Sequence, residues 1–156
     1  LMGGTSFIPT GSSYTAGYLS NFRYVNNAAI YSGTGNFTPP TTPLTAISGT
    51  QLLTAQSNRF IDNSSNNYSI TVNGTPSVQR FSPFNPTVPY STATIGGSGY
   101  FDGDGDWLTA PSTNLVVPSG PNTFTLEMWI YPQNLGTSNN QQIILLNEQQ
   151  TFYQYL

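Results

Sequence analysis

The chain has 156 residues, enough for one ordinary domain with a real core, yet only 6% of them are Asp, Glu, Lys or Arg and the formal net charge is −3. Lysine, histidine and cysteine are absent, which excludes a zinc site, a thiol nucleophile, a Ser-His-Asp triad and disulfide stapling. Three dispersed arginines, Arg23, Arg59 and Arg80, make no surface that could hold a phosphate backbone, and no run approaches the roughly 18 apolar residues of a membrane span, so neither nucleic acid binding nor membrane insertion is expected.

Taken in chain order, the first strand signal is YLSNFRYV, residues 18–25, rich in aromatic and β-branched residues although its alternation is imperfect. A helix of a turn or two has a place only near residues 26–29. QLLTAQ, residues 51–56, predicts a further strand. In YSITVNG, residues 68–74, Tyr68, Ile70 and Val72 share a face, and the terminal Asn73-Gly74 accepts the positive φ of a hairpin turn. The composition then changes: Pro83, Pro86 and Pro89 remove backbone donors at three-residue spacing, and the Ser/Thr/Gly stretch that follows reads as a linker over residues 85–99. FTLEMWIY, residues 124–131, is the clearest strand, with Phe124, Leu126, Met128 and Ile130 on one face and Thr125, Glu127, Trp129 and Tyr131 on the other. QIILL, residues 142–146, and TFYQYL, residues 151–156, complete the series. Many short strands punctuated by Gly and Pro predict an all-β protein, an antiparallel β-sandwich.

YFDGDGDWLTAP, residues 100–111, followed by FTLEMWIYP, resembles the amino-terminal signature of laminin-G-like, concanavalin A-like jelly-roll domains. Residues 17–45, GYLSNFRYVNNAAIYSGTGNFTPPTTPLT, with residues 52–84, LLTAQSNRFIDNSSNNYSITVNGTPSVQRFSPF, resemble the carboxy-terminal signature of the variety found in structural proteins of tailed bacteriophages. The order is inverted, since the closing signature comes first. The resemblance therefore implies residues 1–84 as the carboxy-terminal part of one sandwich, 85–99 as linker, and 100–156 as the amino-terminal part of another, a jelly roll that is split or permuted. No middle strands are recognisable, so the strands each part lacks must come from the other part, from a neighbouring copy, or from sequence beyond these residues.

Three sets of residues are candidates for chemistry. Asp102, Asp104 and Asp106 alternate with glycines, but an EF-hand loop beginning at Asp102 would need glycine sixth and glutamate twelfth, where Trp107 and Thr113 stand. The favoured reading is a hairpin turn over Gly103 to Gly105, with Asp104 at its tip and Asp102 or Asp106 bonding local amides; a looser calcium cage is the alternative, and no other cofactor is indicated. Glu127 invites comparison with glucanases of the jelly-roll class, yet glycoside hydrolysis needs paired carboxylates and its neighbours on the strand supply none; Glu148 lies on another segment. Trp107, Trp129, Tyr131 and Tyr153 could form a platform for sugar rings, weighed against a role in core or inter-subunit packing.

The expectation is a non-enzymatic structural or attachment module of a virion or extracellular fibre. It would assemble with like modules or neighbouring domains, bind host glycans, and work at the virion or extracellular surface. The alternatives are a glycan-binding adhesin domain of a cellular surface protein and, more distantly, a glycoside hydrolase.

Overall fold

The computed structural model describes residues 5–7, 16–31, 33, 35–84, 91, 94–110, 123–134, 144–145 and 151–152, with the side chains of 5–7, 134, 144–145 and 151–152 excepted. The strands among these residues are β1 (Thr5–Phe7), β2 (Ala16–Asn26), β3 (Thr50–Thr54), β4 (Thr71–Asn73), β5 (Ser77–Gln79), β6 (Ser98–Phe101), β7 (Trp107–Ala110), β8 (Phe124–Asn134), β9 (Ile144–Leu145) and β10 (Thr151–Phe152). The described residues contain no helix. The short one expected near residues 26–29 does not form, because β2 runs on through Asn26 and Asn27 takes φ 59°, outside the helical region. β1 and β5 had no signal in the sequence.

β2 is the spine of a five-stranded antiparallel sheet. β8 pairs along one side of it, from Ala16↔Asn134 to Asn26↔Phe124. Along the other side β3 takes residues 22–25, β6 takes residues 17–19, and β5 adds outside β6. A three-stranded sheet runs β1-β7-β4, and β9 with β10 makes a two-stranded ladder. Residues before and after the Pro-rich segment thus interleave within one chain. Of that segment, residues 95–99 are buried and Ser98 and Gly99 belong to β6. Gly99 is required by close packing, since a Cβ there would meet the Phe60 ring at 2.7 Å and the Phe101 ring at 2.9 Å.

The imperfect alternation of β2 has a local cause. Ser20 faces Trp129 and Arg23 faces Glu127, so β2 holds one residue more than β8 between those pairs. The irregularity is a β-bulge at Asn21, which takes φ 55°. Asparagine tolerates that conformation because its short amide can bond locally: Oδ1 accepts the Leu44 amide at 2.7 Å, Nδ2 donates to Ser20 Oγ at 2.8 Å, and its own N–H donates to Ala55 O at 2.9 Å. The bulge switches the parity of the strand, so Leu19 before it and Phe22 and Tyr24 after it all reach the same core.

That core joins Leu19, Phe22, Tyr24, Leu52 and Phe101 of the larger sheet to Leu108 and Ala110 of the smaller one, with Phe124, Leu126, Met128 and Ile130 packed against it as the alternation predicted. Two antiparallel sheets around one apolar layer make the protein an all-β sandwich. Each fully buried large side chain contributes on the order of 1.5–3 kcal/mol.

Two turns carry the chain between the sheets. β4 pairs with β7 and β5 pairs with β6, so Asn73-Gly74 links β4 to β5 across the two sheets, and Gly103 to Gly105 link β6 to β7 in the same way. Neither turn closes the hairpin expected from its sequence. They form instead the paired corner of a two-stranded ribbon that folds from one sheet onto the other. Gly74, at φ 76°, lies so close to Asp106 and Gly105 that a Cβ would come within 2.3 Å of the Asp106 carboxylate.

Candidate functional site

Side-chain alternation assigns the outer face of the five-stranded sheet. With Leu19 and Phe101 inward, Tyr18 and Ser20 on β2 and Ser98 and Tyr100 on β6 point outward, as do Trp129 and Tyr131 on β8. The register pairs Tyr18 with Tyr100 on one side and Tyr131 on the other, setting three tyrosines in a row across three strands. Their ring centroids are 5.0 Å and 6.2 Å apart, within the range in which tilted aromatic pairs attract beyond simple burial. Phe81, just after β5, closes over the row at 4.5 Å from Tyr18 and 5.3 Å from Tyr131, while Phe84 meets the Trp129 ring edge-on at 5.3 Å.

One row along, small side chains leave a hollow of about 150 Å³. Ser20 and Ser98 lie at its base, and Tyr18, Trp129, Tyr131, Phe81 and Pro83 wall it. Tyr131 and Phe81 are 56% and 47% exposed, so the hollow opens to solvent between aromatic rings. Ser20 Oγ is already engaged, donating to Gly97 O at 2.5 Å and accepting from Asn21 Nδ2. Ser98 Oγ is buried and has no hydrogen-bond partner.

Two of the four proposed platform residues therefore meet here, Trp129 and Tyr131. Trp107 lies on β7 in the other sheet, opposite Asn73 and packed against the core, and Tyr153 lies outside the described residues. Sequence reading missed Tyr18, Tyr100 and Phe81. The available signal was an outward aromatic on each of β2, β6 and β8, but seeing it required the register between strands.

Farther along β8 the outer face is covered by the segment after β2. Ile30 N–H donates to Thr125 Oγ1, whose hydroxyl donates to Ala28 O. The Arg23 guanidinium pairs with Glu127 Oε1 through Nη2 at 2.5 Å and Nε at 2.5 Å, and donates through Nη1 to Thr45 O. The Tyr31 hydroxyl donates to the other Glu127 oxygen at 2.5 Å. Loss of water around the phenol, then the hydrogen bond to Glu127 and that residue's charge, push the Tyr31 pKa up to about 12. Both Glu127 oxygens are thus occupied in tying this segment to the sheet. Glu148 lies outside the described residues.

At the corner, Asp106 is 1% exposed and its carboxylate accepts the Thr75 amide at 2.6 Å and the Asp102 amide at 3.1 Å, clamping both turns. Asp102 Oδ1 accepts the Asp104 amide at 2.8 Å, and Asp104 is exposed. Among the described residues no three His, Cys, Asp or Glu side chains converge to hold a metal. Asp106→Ala is expected to destabilise the protein by about 2–4 kcal/mol, since each amide left without a partner in a buried setting costs roughly 1–3 kcal/mol. Asp104→Ala should stay within about 0.5 kcal/mol. Chelation should leave the melting temperature unchanged; a calcium-dependent rise of several degrees would overturn the clamp as the role of these aspartates.

Fold and face together define a β-sandwich protein with an aromatic patch on the outer face of its larger sheet. Comparison with protein families, with curated proteins and with solved structures returns no match.

Proposed function

We propose that the chain is a non-enzymatic structural or attachment module of a virion or extracellular fibre, one that assembles with like modules and binds glycans of a host surface. The observation that carries this reading is the aromatic cluster on the outer sheet face, in which Tyr131 and Phe81 are exposed and stack on half-buried Tyr18, itself beside half-buried Tyr100. Such a surface offers flat apolar area with polar tips, which suits sugar rings and subunit packing and supplies no acid–base chemistry. The jelly-roll resemblance to phage structural proteins agrees with it, as does a surface kept soluble by Ser, Thr, Asn and Gln rather than charge. Glu127, the one carboxylate on the clearest strand, is held by Arg23 and Tyr31, and that use competes with a catalytic one.

A glycan array probed with the whole chain, alongside reducing-sugar release from β-glucans, tests the proposal. Binding without release is the expected result. Release that disappears in Glu127→Gln would replace it with the glycosidase reading.

A further inference from the structure

We propose that Asn73 is a site of spontaneous covalent modification, closed while the corner between the sheets is folded, and that its conversion to isoaspartate once the corner opens prevents the corner from closing again. The inference is independent of the attachment reading.

Asn73-Gly74 is the only Asn-Gly pair in the chain. Glycine, with no Cβ to shield its amide, is the following residue that least obstructs attack on an asparagine side chain. In that reaction the Gly74 nitrogen gives its proton to solvent base and bonds to Asn73 Cγ, while the side-chain nitrogen takes up a proton and leaves as ammonia. Water then opens the cyclic imide. Opening at Cγ gives aspartate; opening at the main-chain carbonyl carbon gives isoaspartate, in which the backbone runs through Cγ and is one methylene longer.

Attack requires the nitrogen to be poised on Cγ, and the folded corner withholds that geometry. Asn73 ends β4 in an extended pairing with Trp107, and its Nδ2 donates to Thr109 Oγ1 on the neighbouring strand at 3.3 Å. Gly74, at φ 76°, has no free space on the side facing the other turn, where a Cβ would lie 2.5 Å from Gly105 O and 2.9 Å from Asp106 Cα. The next amide, that of Thr75, is fixed on the Asp106 carboxylate at 2.6 Å. The Asp106 carboxylate also opposes loss of the Gly74 amide proton, because a second anion beside it is disfavoured.

The same tight fit makes the change one-way. An extra methylene between residue 73 and Gly74 either drives Gly74 into a contact with no room for a carbon atom or draws the Thr75 amide off Asp106. β4 and β5 lie in different sheets, so losing the clamp between them loosens the smaller sheet on the larger.

The test incubates the whole chain at mildly alkaline pH, folded in buffer and unfolded in guanidinium chloride, and follows aspartate and isoaspartate at residue 73 by peptide mass spectrometry. Deamidation should be at least about tenfold slower in the folded chain, since it must wait for the corner to open. Asp106→Asn removes the charge and one accepted amide bond with little change of shape, and should speed the reaction in the folded chain about fivefold. When the chain aged in guanidinium is returned to buffer, the refolded fraction should be depleted of isoaspartate at residue 73 and the fraction that fails to refold enriched in it. Asn73→Gln, aged in the same way, should refold undiminished, because attack on the longer side chain needs a larger and slower-forming ring. The inference is overturned if folded and unfolded chains deamidate Asn73 at the same rate, if Asp106→Asn leaves the folded rate unchanged, or if refolded and unrefolded fractions carry equal isoaspartate.

Discussion

Expressed apart, residues 1–84 and residues 100–156 will each fail to give a cooperatively folded monomer. The first part contains β2 but neither β8 nor β6, which hydrogen-bond to it on opposite sides, and it contains β4 without β7 and β5 without β6. Leu19, Phe22, Tyr24 and Leu52 are 3% exposed or less, and their burial depends on the partner strands of the second part. Leaving these four in water forfeits on the order of 6–12 kcal/mol, at roughly 1.5–3 kcal/mol per side chain, against a typical domain stability of about 5–15 kcal/mol. The unpaired edges of β2 would add an aggregation hazard. Circular dichroism and urea denaturation of each part alone should show no sigmoidal transition. Mixing residues 1–84 with residues 85–156 should restore one, because β6 and β8 then bring their full pairing to β2 and β5. A cooperative transition in either part alone, in a species that sedimentation shows to be monomeric, would contradict the interleaving of β2, β6 and β8.

How much of this was legible in the sequence differs from element to element, for physical reasons. β8 was plain because it is a long strand with one face on the core, so Phe124, Leu126, Met128 and Ile130 advertise their period. β2 is as long but hides its period: the bulge at Asn21 moves the inward set from Leu19 to Phe22 and Tyr24, and the covering segment buries the outward positions as well. A period-two template cannot register a change of phase. At Gly74 the positive φ was legible, since glycine reports the local backbone. Whether the strands on either side of a turn pair with each other or part to different sheets is decided by distant partners, and here they part. The same limit hid the site. Tyr18, Tyr100 and Tyr131 are unremarkable one by one and become a surface only through the register of three strands. Asp62 passed unnoticed for a related reason. It organises the turn after β3 by accepting from the Leu53, Ser64 and Tyr68 amides and the Ser64 hydroxyl, a pattern of backbone donors that leaves no motif behind.

Glu127→Leu is expected to destabilise the protein by about 3–5 kcal/mol, the usual cost of removing one member of a buried ion pair, and to lower its melting temperature by on the order of 10 °C. The side chains of Arg23 and Glu127 are only 7% and 10% exposed, so the substitution leaves the Arg23 charge largely buried without its counter-ion. It also removes the acceptor of the Tyr31 hydroxyl, and with it a tether of the segment after β2. Chymotrypsin should then cut faster after Tyr31 and Phe37, which are exposed and stack on each other at 4.5 Å in that segment. Arg23→Met combined with Glu127→Leu should recover most of the loss, because two apolar side chains replace two charges at once. The Tyr31 phenol adds a signature at high pH. Its pKa is raised from 10.0 to about 12, so the folded chain holds that proton more tightly than the unfolded one, and the stability it contributes is complete below pH 10 and lost as pH rises from 10 towards 12. Tyr31→Phe should therefore flatten that alkaline decline. It should not abolish it, since burial raises the Tyr24 phenol as well. A Glu127→Leu chain that melts within a degree or two of the original, with unchanged chymotrypsin sensitivity, would show that the pair does not hold the covering segment to the sheet.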